Sequence, residues 1–209
     1  MSTRLQLSTS PSPARARPLV VDLFTSQSCS PCRPAQALLG EFATRPDLLP
    51  RGFDLGCASR QQAAYASRLE DGSFTPQFVI EGRRSVVRSR RAAVAATLVQ
   101  TKVKARSATE LSVPRRDDRI AVSLGSGRGM TRLLVIGFYP AHPALVRPGE
   151  NAGRAIEQAD VKRFRCDLGT WEGWPIGLDA PSAAEEGQAM IWPQAGSWID
   201  GAARRSTSA

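Results

Sequence analysis

Leu19-Val20-Val21-Asp22-Leu23-Phe24-Thr25-Ser26-Gln27-Ser28-Cys29-Ser30-Pro31-Cys32-Arg33-Pro34 passes from an apolar run, through a polar turn, into two cysteines. Residues 19 to 24 have the make-up of a short buried strand. Residues 30 to 44 carry apolar side chains at helical spacing, at Ala35, Leu38, Leu39 and Phe42. Cys29 therefore falls where a strand ends and a helix begins. The first N–H groups of a helix lack intrahelical partners and carry partial positive charge. A thiolate there is stabilised, its pKa falls, and it becomes a nucleophile near neutral pH. Cys32 stands one turn further on, in reach of a mixed disulfide formed at Cys29. This is the Cys-x-x-Cys arrangement of a dithiol redox site, with Cys29 attacking and Cys32 resolving.

Two other uses of the motif stay open. Cys-x-x-Cys is also half of a zinc site, which needs two more ligands. Cys57 and Cys166 stand alone and far apart, and His142 is the only histidine, so no second half lies at ligand spacing. The other alternative is a stable local disulfide in a binding or structural protein. No metal and no cofactor is expected; the expected partner is a protein or a small thiol or disulfide.

At 209 residues and 42% apolar content, the chain is long enough for one large domain or two small ones with a packed core. The net charge is +9, almost all of the excess from arginine. Such a balance can favour acidic partners, nucleic acid or anionic membrane surfaces. The densest basic run, Arg83-Arg84-Ser85-Val86-Val87-Arg88-Ser89-Arg90-Arg91, holds no aromatic on which a base would stack. It reads as a solvated strand edge and helix start, and nucleic acid is not the expected partner. No run is long and apolar enough to span a bilayer as a helix. Met1 to Pro18 is rich in Ser, Pro and Arg and lacks the apolar core of a secretory signal. Four cysteines are too few for a disulfide scaffold.

Residues 1–18 are expected to form a flexible leader. After the first strand and helix, the latter ended by Pro46, Phe53-Asp54-Leu55 reads as a short second strand. Residues 59 to 70, behind a Ser59 cap, read as a second helix. Phe74-Thr75-Pro76-Gln77-Phe78-Val79-Ile80 is a strand opened by proline, turning at Glu81-Gly82 into a partner strand at Val86-Val87. Residues 90 to 103 are a third helix. Beyond them, residues 111 to 113, 120 to 124 and 133 to 138 read as strands, with further strands at 156 to 168 and 188 to 192. Residues 179 to 188 read as a loop. Gly125-Ser126-Gly127-Arg128-Gly129 has no helix after it and reads as a hairpin loop rather than a dinucleotide fingerprint. The expected division is a first domain over 19–106, an antiparallel β module packed on it over 107–200, and a tail over 201–209.

The order strand, helix, strand, helix, strand, strand, helix, with Cys-x-x-Cys before the first helix and Thr-Pro before the third strand, resembles the thioredoxin fold. The fold class is accordingly α/β. The resemblance implies that Pro76 follows a cis bond, that its loop faces the cysteine pair, and that the Thr75 backbone receives an extended peptide or a small thiol. The match is closer still to a bacterial family of thioredoxin-like proteins that carries a domain-of-unknown-function label. It runs through Val20 to Cys32, Thr75-Pro76-Gln77-Phe78-Val79, Gly137-Phe138-Tyr139-Pro140-Ala141-His142 and Gly149-Glu150-Asn151-Ala152-Gly153-Arg154. Members are usually exported, which implies a periplasmic or secreted setting. The stretch from Phe53 to Ser59 is shorter here than in the family, and Cys57 falls within it.

The remaining candidates each carry two readings. His142 either stabilises the Cys29 thiolate or is a solvated loop residue. Glu150, Asn151 and Arg154 either approach the cysteines or hold their own turn. Trp171, Trp174, Trp192 and Trp198 either line a groove or pack a core. Arg33 either holds negative charge at the pair or is a surface arginine. Cys57 and Cys166 are expected to be buried or incidental thiols.

Overall fold

The computed structural model describes residues 17–26, 29–87, 90–104, 111–113, 115–116, 119–127, 130–145 and 155–181. The first elements are β1 (Leu19–Thr25), α1 (Cys32–Ala43), β2 (Leu48–Asp54), α2 (Leu55–Leu69), β3 (Gln77–Ile80), β4 (Arg84–Val87) and α3 (Arg91–Lys104). They follow the element order expected from the sequence. β1 pairs parallel to β2 on one side and antiparallel to β3 on the other, and β4 continues beyond β3. Every residue of β1 is buried. A strand covered on both faces needs a near-continuous apolar run, which is what the sequence supplies there.

Alternate residues of a strand face opposite sides. Leu19, Val21 and Leu23 pack with Ala35, Leu38, Leu39 and Phe42 of α1 and with Val94 and Leu98 of α3. On the other face Phe24 stacks on Phe53, ring centroids 5.1 Å apart, and meets Tyr65 of α2 edge-on. Asp22 shares that second face and is fully buried. Its partner in the ladder is Arg51. Arg51 donates from Nε to Oδ1 at 2.5 Å and from Nη2 to Oδ2 at 2.6 Å, and the Tyr65 hydroxyl donates to Oδ2 at 2.9 Å. Burial pushes the Asp22 carboxyl above its ordinary value, opposed by Arg51 and by the Tyr65 hydroxyl.

The β3–β4 turn is tied back to the central strand. Glu81 and Gly82 both take positive φ, 55° and 64°. A non-glycine residue is held there only by specific contacts. Glu81 donates its amide to the Val20 carbonyl at 2.9 Å and accepts the Val20 amide on Oε1 at 2.6 Å. Arg17 adds a bidentate pair to the same carboxylate, at 3.1 and 2.6 Å. Arg17, at the end of the expected leader, is thus tied to the folded unit; residues 1–16 lie outside the described residues.

The chain continues through β5 (Leu111–Ser112), β6 (Arg115–Arg116), β7 (Arg119–Leu124), β8 (Thr131–Leu145), β9 (Ala155–Trp171) and β10 (Ile176–Pro181). β9 joins β2 in parallel, Gly52 opposite Val161, which makes a six-stranded mixed sheet in the order β4-β3-β1-β2-β9-β8. β10, β7 and β5 form a second, antiparallel sheet, with β6 paired to β7. The long β8–β9 ribbon serves both. Near Val161 it extends the first sheet, while Leu133, Val135 and Trp171 pack with Ile120, Val122, Leu124 and Ala180 in a second core. A register shift at Gly137/Phe138 separates these two tasks, and another at Leu133/Leu134 lies within the second core. The fold is therefore mixed α/β, with a mixed sheet and an additional antiparallel sheet. The later strands are not confined to a separate layer, since β8 and β9 belong to the first sheet.

Several boundaries differ from those expected. The second strand is Leu48–Asp54 rather than Phe53 to Leu55, because its register with β1 holds Pro50, Arg51 and Gly52 extended despite their low strand preference. α2 starts at Leu55, so Ser59 lies inside it and not at its cap, and Cys57 falls in its first turn. α1 starts at Cys32, behind a turn at Ser30 and Pro31. Residues 179 to 181, expected in a loop, end β10, paired to β7. The strand expected at 188 to 192 and the tail at 201–209 lie outside the described residues.

Candidate functional site

Three backbone hydrogen bonds mark the passage from β1 into α1. The Cys29 amide donates to the Ser26 carbonyl at 3.1 Å, the Cys32 amide to the Cys29 carbonyl at 3.1 Å, and the Arg33 amide to the Ser30 carbonyl at 3.4 Å. Pro31 occupies the N-cap position, with no side-chain cap and no acidic residue in the first turn. Pro34 is tolerated in that turn because its missing N–H had no intrahelical partner. Cys29 and Cys32 are joined as a disulfide, their Cα atoms 5.4 Å apart, inside the roughly 4.4–6.8 Å that a disulfide spans. The two half-cystines differ in access. Cys32 is 1% exposed, on the buried face of α1, whereas Cys29 is half-buried and faces solvent in part. Arg33 beside them is exposed.

Pro76 and Thr75 reach the same end of the sheet. The last antiparallel pair between β1 and β3 is Phe24 with Gln77. Pro76 and Thr75 are the next two residues and leave β3 at the end of the sheet from which β1 runs on to Thr25 and Ser26, the residue whose carbonyl takes the Cys29 amide. The Thr75–Pro76 bond is cis, as the resemblance implied. Pro76 is buried and Thr75 half-buried.

Residues 20–194 match the family described as proteins of unknown function, DUF1223. The chain belongs to that family. No curated protein matches it. Among solved structures, it is similar to a structural-genomics crystal structure from Agrobacterium tumefaciens, with a TM-score of 0.76 and 22% identity over 91% of this chain and 94% of that one. It is also similar to HBP35 of Porphyromonas gingivalis, with a TM-score of 0.60 and 11% identity over 90% of this chain and 74% of that one. At these identities the likeness is one of fold.

Buried polar side chains surround the cysteine end of this DUF1223 chain and were not singled out in the sequence. Gln36, one turn after Cys32, donates to Thr25 Oγ1 at 3.4 Å, and that hydroxyl donates to the Phe53 carbonyl at 3.5 Å. A second pair, Gln62 and Gln77, lies beneath the loop before Pro76. The signals were present: a glutamine on the apolar stripe of α1, and a glutamine directly after Thr75-Pro76.

The other candidates are dispersed. His142 in β8 stands opposite Gln158 of β9, three residues before Val161, and so level with the start of β1 and not its end. That is about 16 Å along the strands from Thr25 and about 14 Å across them, which removes His142 from the thiolate. Trp171 is core and Trp174 is 77% exposed; Trp192, Trp198, Glu150, Asn151 and Arg154 lie outside the described residues. Cys166 is a free, half-buried thiol in β9. Among the described residues, no three His, Cys, Asp or Glu side chains gather as a metal site, and no helix is long and apolar enough to cross a membrane.

Proposed function

We propose that this DUF1223 protein is a thiol–disulfide oxidoreductase of thioredoxin-like fold. The observation that carries the proposal is the asymmetric disulfide at the end of the central strand, accessible at Cys29 and buried at Cys32. The strand order β4-β3-β1-β2, with β3 antiparallel to β1 and α1 leaving the end of β1, supports the thioredoxin-like part. Separate cores built from residues 19 to 98 and from 113 to 180 support a domain boundary near residue 106, bridged by β8 and β9.

In the reductive direction the Cys29 thiolate attacks one sulfur of a substrate disulfide. A Cys29–substrate bond forms, the substrate S–S bond breaks, and the first substrate thiolate leaves. Cys32, deprotonated, then attacks the Cys29 sulfur, closing the protein disulfide and releasing the second thiolate. Two electrons pass from the protein dithiol to the substrate; the oxidative direction is the reverse. Helix N–H groups in a first turn without an acidic residue favour the Cys29 thiolate. Pro76 and the Thr75 backbone line the side on which the substrate approaches.

The test is a redox titration of a Cys57→Ser/Cys166→Ser variant in glutathione buffers. An exchanging pair equilibrates at about −180 to −270 mV, whereas a disulfide that stays closed below about −300 mV is structural, and the protein would then be the non-catalytic binding or structural alternative.

A further inference from the structure

We propose that Gln62 and Gln77 are positioning residues that fix the Gly72–Pro76 segment for an extended peptide disulfide. The inference rests on the thiol–disulfide function proposed above and names the substrate class of the same site.

The segment from Gly72 to Pro76 is neither helix nor strand. It is anchored from below by two glutamine side chains, 3% and 0% exposed. Gln62 of α2 donates from Nε2 to the Phe74 carbonyl at 2.8 Å and to Gln77 Oε1 at 2.8 Å. Gln77, the first residue of β3, donates from Nε2 to the Gly72 carbonyl at 3.2 Å and to Ser85 Oγ of β4 at 3.0 Å. Each amide thus spends both its hydrogens, and two of the four bonds end on loop carbonyls flanking Ser73.

Burying two primary amides is costly unless every donor finds an acceptor. An apolar pair of the same size would fill the space without that demand. Satisfied buried networks instead select one geometry. Here the selected geometry is that of a loop whose next residue, Thr75, is half-exposed at the end of the sheet from which β1 leads to Cys29. Phe74 next to it is also half-buried. The same two glutamines therefore set where a backbone donor, a backbone acceptor and an aromatic rim stand relative to the attacking sulfur. A peptide that pairs with the Thr75 backbone depends on that placement. A small disulfide that meets only Cys29 does not.

Two probes with the same leaving group separate these cases: hydroxyethyl disulfide, and a blocked Ala/Gly peptide whose central cysteine is held as the mixed disulfide with mercaptoethanol. Rate constants for oxidation of the reduced protein are read by acid quench and mass spectrometry. Gln62→Met and Gln77→Met are each expected to lower the peptide rate about tenfold, the scale of a slightly misplaced binding group, while the hydroxyethyl disulfide rate stays within about twofold of wild type. Ser85→Ala removes one of the two bonds that do not reach the loop, leaving both loop bonds in place, and is expected to leave both rates unchanged. If both rates fall together, or if neither changes, the positioning role is overturned. If Gln77→Met does not fold, Gln62→Met, which leaves β3 intact, decides the matter by the same two rates. Wild-type protein that reacts with neither probe overturns the oxidoreductase proposal itself and this inference with it. Wild-type protein that reacts with both, with variants indistinguishable from it, overturns this inference alone.

Discussion

The two faces of β1 are held in different ways. The face toward α1 and α3 is mostly apolar, with Leu19, Val21 and Leu23 against the stripe Leu38, Leu39, Phe42, Val94 and Leu98, and carries a polar pair, Thr25 and Gln36, only at its cysteine end. The face toward α2 buries a carboxylate, a guanidinium, a phenol and two glutamines beside a small aromatic cluster. Apolar packing is non-directional and forgiving of volume-conserving change. The polar face has to satisfy each group individually, so it tolerates one arrangement. The cysteines emerge from the forgiving side. The loop that leads into β3 at the same end of the sheet is anchored on the exacting side.

The largest expected effect is on the buried pair. Arg51→Met leaves Asp22 buried without its cation and is expected to destabilise the protein by about 3–5 kcal/mol, read by denaturant unfolding. Adding Asp22→Leu to that variant is expected to recover most of the loss, since a buried pair replaced on both sides by apolar residues is often near neutral. A double variant no more stable than the single one would mean that the polar face is not held by this pair.

Tyr65→Phe is expected to cost about 2 kcal/mol, by removing a hydrogen bond to a charged group. It should also change the alkaline limb of stability. Burial first, and then the Asp22 charge, hold the Tyr65 hydroxyl well above its ordinary 10.0. The unfolded chain loses this proton above about pH 10 while the fold retains it, so stability falls as pH rises beyond that point. The Phe variant should show a flatter slope above pH 10 than wild type.

An exposed ion pair gives the smallest effect and sharpens the contrast. Asp47 accepts from Arg45 at 3.0 and 2.8 Å and from Lys102 at 3.2 Å. The Arg45 hydrogen bonds, with lesser help from Lys102, lower its carboxyl to about 2. The contribution is therefore present above about pH 4 and is lost as pH falls toward 2. Asp47→Asn is expected to cost no more than about 1 kcal/mol at neutral pH, and the difference should vanish in acid.

How much could be read from the residues follows the same division. β1, α1, the β3–β4 hairpin and α3 were legible because each carries an apolar period of its own. β2 was not, because Pro50, Arg51 and Gly52 read as a break and only the ladder to β1 holds them extended. α2 was placed late because Ser59 resembles a cap, although Asp54, an equally good residue for that position, stands directly before Leu55. β8 was read only to Phe138 because Pro140 and Pro143 follow it, yet the ribbon runs past both to Leu145, with Pro143 paired in register to Glu157. At the site, Cys29, Cys32 and Pro76 announced themselves by local motif. Gln62 and Gln77 did not, since they are 15 residues apart and meet only across the fold.

The roles of the two cysteines are tested most directly by comparing all the thiols of the reduced protein in one sample. Iodoacetamide occupancy at Cys29, Cys32, Cys57 and Cys166 is followed by mass spectrometry against pH, together with mixed-disulfide trapping in Cys32→Ser and Cys29→Ser. Cys29 is expected to be alkylated fastest near neutral pH, because it is the accessible half of the pair at the N-terminal end of α1. Cys32→Ser should accumulate mixed disulfides through Cys29, and Cys29→Ser should trap far less. Equal rates at Cys29 and Cys57, or trapping that survives Cys29→Ser, would contradict the assignment.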